Sequence, residues 1–298
     1  LYFNALNHIA HQYENTPAAA QAWYLLASYY EEQATTYKAN GDTTHRYARL
    51  KAKEICEKIL QKNDVSKASP PSGGGGLEGA INCYNLLNQI NKKSLLFHLE
   101  KVNVPDQPFR TLVEYRNFSQ LNLRLIKADD NLKKQLENQY DEKYWPAILG
   151  AKSIRSWEQG LPSTNDLQQH STEIKVDALP TGEYLLVAST EKDFSHKKAL
   201  VGARLFYVST ISFVNNNEDF FVLNRDNGQP LASAAVQVWE QKYEYKTSKY
   251  IKEKTKLYKT DANGFFRKEK QTDPDNNRYG NYSYLLDISH NNDRLFMS

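Results

Sequence analysis

Several residue groups have types and spacings that could do chemistry. His8 and His11 lie three apart in a helical pattern, where two imidazoles can reach one metal ion. No carboxylate or thiol at a suitable spacing completes that set, so no metal ligand is assigned. Asp261-Ala262-Asn263-Gly264 has the opening of a calcium loop but lacks the later Glu ligand. It reads instead as a tight hairpin turn with Asn263 and Gly264 at the positions that tolerate positive φ. A methyl group on Gly264 is expected to cost about 1–2 kcal/mol in left-handed geometry. The run Gly73-Gly74-Gly75-Gly76 would have to end in Gly-Lys-Ser/Thr to hold phosphates. Leu77-Glu78 follow, so the run reads as a flexible inter-helix loop. In 242–256, Lys242, Lys246, Lys249, Lys252, Lys254 and Lys256 interleave with Tyr243, Tyr245 and Tyr250. Such residues could stack on rings and neutralise phosphates. Glu244 and Glu253 dilute the charge, and an extended hairpin or loop whose lysines discourage edge pairing is the expectation. Tyr243, Tyr245 and Tyr250 are kept as candidate partner-binding residues.

Cys56 and Cys83 have no CxxC spacing and cannot make a metal site alone. They fall in consecutive predicted helices that could pair antiparallel. Two readings stay open: a disulfide in an oxidising compartment, or two buried thiols acting as small hydrophobes. No Gly-x-Ser-x-Gly, His-Glu-x-x-His or Cys/His nucleophile pattern is present, so neither a catalytic residue nor a cofactor is assigned and the chain does not read as an enzyme.

Composition bounds the rest. The 298 residues carry 38 Lys+Arg against 35 Asp+Glu, a net charge of +3, and the pI near 8.5 falls short of a dedicated nucleic-acid binder. A hydrophobic share of 40% excludes wholesale disorder. A mean hydropathy of −0.72, with no 18-residue apolar run, excludes a membrane-spanning helix. The 20 Tyr and 12 Phe against one Met lean towards β-sheet surfaces and extracytoplasmic exposure. The chain starts at Leu1 and stops at Leu295-Phe296-Met297-Ser298 in a strand-like pattern, as a piece of a longer polypeptide does. Missing targeting signals therefore say nothing about compartment.

The elements that must position these residues change character along the chain. Residues 1–91 read as a TPR-like helical domain. Leu1, Ala5, Ile9 and Tyr13 make one stripe, and Pro17 opens a second helix carrying Trp23, Leu26, Ala27, Tyr30 and Ala34. A third helix is expected over 44–62, with Ala48, Ala52, Ile55, Ile59 and Leu60 inward, and a fourth over 77–90. Trp23, Tyr24 and Tyr30 are candidates for core packing or for lining a partner groove; Trp23→Ala should cost about 3–5 kcal/mol if the ring is core. After Ser94 the period becomes two, predicting strands with one buried and one wet face. Residues 92–210 then form a β-sandwich interrupted by a charged helical insert at about 129–160, containing Leu132, Leu136, Tyr140 and Trp145 and stopped near Pro146. Residues 211–298 form a second sandwich, with strands at 220–224, 235–240 and 256–260 and another carrying Tyr282, Tyr284, Leu286 and Ile288. The fold class expected is thus multidomain α and β: a helical bundle followed by two antiparallel sandwiches.

Particular motifs in these sandwiches resemble a known family. Phe221-Val222-Leu223-Asn224-Arg225-Asp226-Asn227-Gly228-Gln229-Pro230-Leu231-Ala232 resembles the strand and "GxPLAgA" opening of a macroglobulin-type sandwich. Lys259-Thr260-Asp261-Ala262-Asn263-Gly264-Phe265 is similar to its "TDxNG" turn, and Leu179-Pro180-Thr181-Gly182-Glu183-Tyr184 to the "LPxGxY" strand entry of the preceding domain. The order resembles the N-terminal part of bacterial, especially Bacteroidetes-type, alpha-2-macroglobulin family proteins, residues 1–91 by position only. The resemblance implies a periplasmic or cell-envelope protein tethered by a lipid, partnered by proteases and by further domains of its own chain. It implies endopeptidase inhibition, in which bait cleavage triggers collapse around the protease. No Cys-Gly-Glu-Gln thioester occurs here, so this piece would be scaffold. Two other readings are a helical-repeat and Ig-like module for adhesion or glycan capture, and an accessory region of a larger envelope enzyme.

Overall fold

Thr16 starts the longest helix: its hydroxyl accepts the Ala19 amide, and Pro17 follows at the first helical position, where its missing N–H costs nothing. The computed structural model describes residues 2–14, 16–63, 77–136, 142–244, 249–269 and 283–297; the glycine run, Tyr140, Tyr245, Lys246 and Tyr282 lie outside them. Helix α1 (Tyr2–Gln12) packs mainly on α2 (Pro17–Thr35), which also meets α3 (Ala48–Lys62) and α4 (Glu78–Asn91). The buried stripe of α1 is Leu6 and Ala10 with Phe3 beside them, not Ala5, Ile9 and Tyr13. Small Ala10 lets α1 approach Ala22 and Leu26 of α2, and Ile9 and Tyr13 are left 36% and 53% exposed. Helix α3 begins four residues later than its apolar spacing suggests, because residues 43–47 close turns instead, with Asp42 Oδ1 accepting the Thr44 amide.

Beyond α4 the chain is mostly β. Strands β1 (Ser94–Leu99), β3 (Phe109–Arg116) and β6 (His170–Val176) form an antiparallel sheet in the order β1-β3-β6. It faces a five-stranded sheet ordered β2 (Val102–Asn103), β8 (Val201–Val208), β7 (Gly182–Ser189), β4 (Gln120–Lys127) and β5 (Ser153–Gly160). Phe97, Val113, Tyr115 and Ile174 from one sheet meet Leu121, Leu123, Leu186 and Phe206 from the other in a common core. All pairings here are antiparallel except β2 with β8.

Two expectations change in this unit. The outer face of the larger sheet is not wet: Asn122 and Ile126 of β4 are buried, as is β7 from Glu183 to Ser189. The insert covers that face. Its helices α5 (Asp130–Gln135) and α6 (Tyr144–Gly150) lay Leu132 and Ile148 over Ile126, Leu185, Val187 and Ala203, giving a third layer. The insert is also shorter than 129–160, since β5 pairs with β4 along its length, and Pro146 sits in the first turn of α6, where a proline is tolerated, rather than stopping a helix.

The second sandwich packs a sheet ordered β13-β10-β9 on one ordered β12-β11-β14-β15, comprising β9 (Ile211–Asn216), β10 (Asp219–Asn224), β11 (Ala235–Glu244), β12 (Lys249–Lys259), β13 (Phe265–Arg267), β14 (Ser283–His290) and β15 (Asp293–Met297). Phe220, Val222 and Phe266 face Val236, Val238, Leu286 and Ile288. Strands β11 and β12 run 10 and 11 residues, longer than 235–240 and 256–260, so the described part of 242–256 belongs to one paired ladder with a bulge between Gln237 and Trp239. The Asn263-Gly264 turn does not join paired strands: β12 lies in one sheet and β13 in the other, and Gly264, at φ 71°, is the turn's left-handed residue while Asn263 is not. Among the described residues no helix is long and apolar enough to cross a membrane.

Candidate functional site

Polar side chains concentrate at two joints between units and at one corner of the second sandwich. The first joint binds the helices to the first sandwich. Arg116 Nε and Nη2 donate to the carbonyls of Lys92 and Gln89 (3.2 and 3.3 Å), and Asn117 Nδ2 donates to Ile90 and Lys92 (2.7 and 3.1 Å). Gln89 and Ile90 are among the last carbonyls of α4, which lack the next helical turn as partner, and Lys92 is the helix's C-cap. On the other flank, loop 161–169 reaches into the helices. Leu167, at φ 60°, packs against their core. Gln168 Nε2 donates to the carbonyls of Ala34 and Arg46 (3.3 and 3.2 Å), and Arg49 donates to Leu167 O and Gln168 Oε1 (3.2 and 3.0 Å) while pairing with Glu31 (2.8 Å). Asp166 is the hub, fully buried, receiving Arg46 Nε and the Gln168 amide and lying 2.8 Å from His170 Nε2. Burial opposes ionisation of its carboxyl, but the bonds from His170 and Arg46 outweigh that and hold it below its ordinary value.

The second joint binds the two sandwiches. Thr210 donates from both its amide and Oγ1 to Asp293 Oδ2 (2.6 and 2.7 Å), and its carbonyl accepts the Arg225 amide (2.6 Å) while the Arg225 guanidinium donates twice to neighbouring Ile211 O within the second sandwich (3.3 and 3.2 Å). Val102 and Tyr207 of the first sandwich enter the core of the second. Beside them Lys133 Nζ bridges Asp130 (2.8 Å) and Glu183 (2.7 Å), and Arg294, held by Asp287 at 2.7 and 2.8 Å, lies 3.7 Å from Asp130. An open groove of about 520 Å³ runs along these charged groups. It offers alternating charge and no paired nucleophile and base.

At the corner, the family-like segments meet. Thr260 Oγ1 donates to Leu231 O (2.6 Å) and accepts the Ala234 amide (2.8 Å). Asp261 Oδ1 accepts the amides of Asn263 and Phe265 (both 2.8 Å), closing the turn, and Gly264 O accepts the Val222 amide (2.8 Å). In the first sandwich, the phenol of Tyr184 donates back to Pro180 O (2.9 Å) and its ring stacks on Phe206.

The residues singled out from sequence fall elsewhere. His11 meets the Trp23 ring edge-on at 4.9 Å, and among the described residues no group of three or more His, Cys, Asp or Glu is placed to hold a metal ion. Trp23, Tyr24 and Tyr30 are half-buried against the helical core, with Lys58 over Trp23 and Lys51 over Tyr30 at 5.3 and 5.4 Å. Tyr250 is 66% exposed and its strand position pairs with that of Tyr243; Tyr245 lies outside the described residues. Cys56 and Cys83 are both free thiols, fully buried. Sequence reading missed Asp166, Arg46, Arg49 and His170. The available signal was Pro162-Ser163-Thr164-Asn165-Asp166, a cluster of turn formers followed by a lone apolar Leu167.

Together the fold and its joints define an interlocked chain of helical unit and two β-sandwiches. No family model and no curated protein matches its sequence. Among solved structures it is similar to native alpha-2-macroglobulin from Escherichia coli spanning domains MG0-NIE-MG1, at 14% identity, covering 68% of this chain and 63% of that one with a TM-score of 0.46. It is also similar to Salmonella alpha-2-macroglobulin reacted with methylamine (10% identity, 70% and 16% covered, TM-score 0.27). Escherichia coli alpha-2-macroglobulin activated by porcine elastase gives 10% identity, 69% and 21% covered, and a TM-score of 0.25. The chain spans less than two thirds of each of these.

Proposed function

We propose that this chain is a non-catalytic scaffold region of a cell-envelope alpha-2-macroglobulin-like protein, serving endopeptidase inhibition by protease trapping. The observation that carries the reading is the corner where Thr260 ties the "TDxNG" segment to the "PLASA" segment. Motifs quoted separately from the sequence thereby act as one structural unit, inside the second of two consecutive sandwiches. The interlocked joints support a mechanical role: rigid modules hold distant trapping parts in register. The helices, read as TPR-like, would present a surface to a partner, and a lipid anchor outside this segment would hold the protein in the periplasm.

The test uses the full-length polypeptide that carries this region, mixed with several serine endopeptidases. Trapping predicts that cleavage of a large protein substrate falls while turnover of a small peptide substrate persists. Equal loss of both, or of neither with every protease, overturns the reading. A second reading, a binding module for proteins or glycans, draws on the exposed rings of Tyr29 and Tyr250, 38% and 66% accessible. A glycan array or partner capture that is lost on Tyr250→Ala would favour it.

A further inference from the structure

We propose that Cys56 and Cys83 form a disulfide that staples α3 to α4 and thereby secures the helices to the first sandwich. The inference is independent of the trapping reading. Both side chains are fully buried, both belong to the core cluster shared by α2, α3 and α4, and α3 and α4 pack directly against each other. They are the sequence's two cysteines, so no other intrachain pairing competes. The ring they close contains the whole connection between the helices, residues 64–76 included. A cross-link removes most freedom from the unfolded chain where the closed segment is long. Beyond Cys83, α4 ends at the carbonyls that Arg116 and Asn117 hold, so fixing α4 to α3 also fixes that joint.

In the docked helices both thiols are fully buried, out of reach of an exchange partner. The bond therefore forms while α4 is still undocked, by exchange with a disulfide-bearing thiol oxidoreductase. One cysteine thiolate attacks a sulfur of the oxidoreductase disulfide, breaking it and making a mixed disulfide. The second thiolate attacks that intermediate, closing the Cys56–Cys83 bond. The oxidoreductase leaves as a dithiol, carrying the two electrons, and the two thiol protons pass to it and to solvent.

The experiment refolds the denatured, reduced chain in a redox buffer with oxidised glutathione as the disulfide donor. The expected product is a monomer about 2 Da lighter than the reduced chain, with no thiol open to alkylation in denaturant. Reductant should then lower its melting temperature by about 5–10 °C and raise hydrogen exchange in α4. The Cys56→Ala/Cys83→Ala double variant, which keeps small apolar side chains, should be blind to reductant. Two alkylatable thiols after refolding, an intermolecular dimer, a glutathione adduct as the main product, or a melting temperature indifferent to reductant each overturns the proposal.

Discussion

A methyl group on Gly264 would lie 2.3 Å from the Val222 carbonyl oxygen and 3.2 Å from the Leu231 amide. The left-handed φ of 71° adds a second cost, so Gly264→Ala should destabilise by about 2–4 kcal/mol, above what the turn alone demands. Urea unfolding showing a loss under 1 kcal/mol would remove the packing half of that account. Trp23 moves the other way. Half-buried on α2 where α1 and α3 approach, with Lys58 over its ring face, it should cost about 2–3 kcal/mol on replacement by Ala, less than a full core ring. Asp166 makes the pH prediction. Its folded carboxyl is depressed below 3.8, so the stability it supplies is present above that value and is lost as pH falls through the folded pKa. Asp166→Asn should lower stability by about 2–3 kcal/mol at neutral pH, because Arg46 and His170 lose their buried anion. Melting curves of the two proteins should converge as pH falls through the depressed folded pKa of Asp166; a gap that stays constant from neutral to acid pH would mean the charge is not what matters.

Element identity was legible where one period dominated. Phe97, Val113, Tyr115 and the leucines of β4 face the core as their alternation demands. What alternation hid was the second buried face. Tyr184-Leu185-Leu186-Val187-Ala188 is a continuous apolar run, the mark of a strand covered on both sides, and its cover comes from a remote insert that no local pattern announces. Ile148 of α6 is 1% exposed in that layer, so Ile148→Ala should cost about 2–4 kcal/mol, a loss foreign to a solvated insert and readable by chemical denaturation. Likewise α1 offered two stripes with helical spacing, and only the small Ala10 against Ala22 and Leu26 decided between them. Gly79 was unreadable as a contact: a Cβ there would lie 2.4 Å from the Ala20 carbonyl carbon and the Gln21 amide nitrogen. Gly79→Ala, which favours the helix locally, should nonetheless destabilise by about 1–3 kcal/mol by forcing α4 off α2.

For the molecule as a whole, the joints near Lys92 and Ile211 were the least legible part, since each rests on partners distant in sequence: Arg46 with Asp166, Thr210 with Asp293. Removing one such partner should loosen a whole unit while leaving each core intact. Asp293→Ala should broaden the small-angle scattering distance distribution and raise exchange at the Thr210 amide, with little change in exchange within the β4 and β7 strands. A uniform rise throughout would instead mean that the second sandwich itself unfolds.

Because Arg116 and Asn117 grip the last carbonyls of α4 and its cap, tension applied at the front of the molecule has two parallel routes into the first sandwich: the peptide link into β1 and the side-chain bonds into the β3–β4 bend. Slack in the short link after Asn91 cannot be taken up until those bonds rupture. Under a stretching force the helices should therefore act as a stiff handle that twists the neighbouring sandwich, rather than as a bead swinging on a thread.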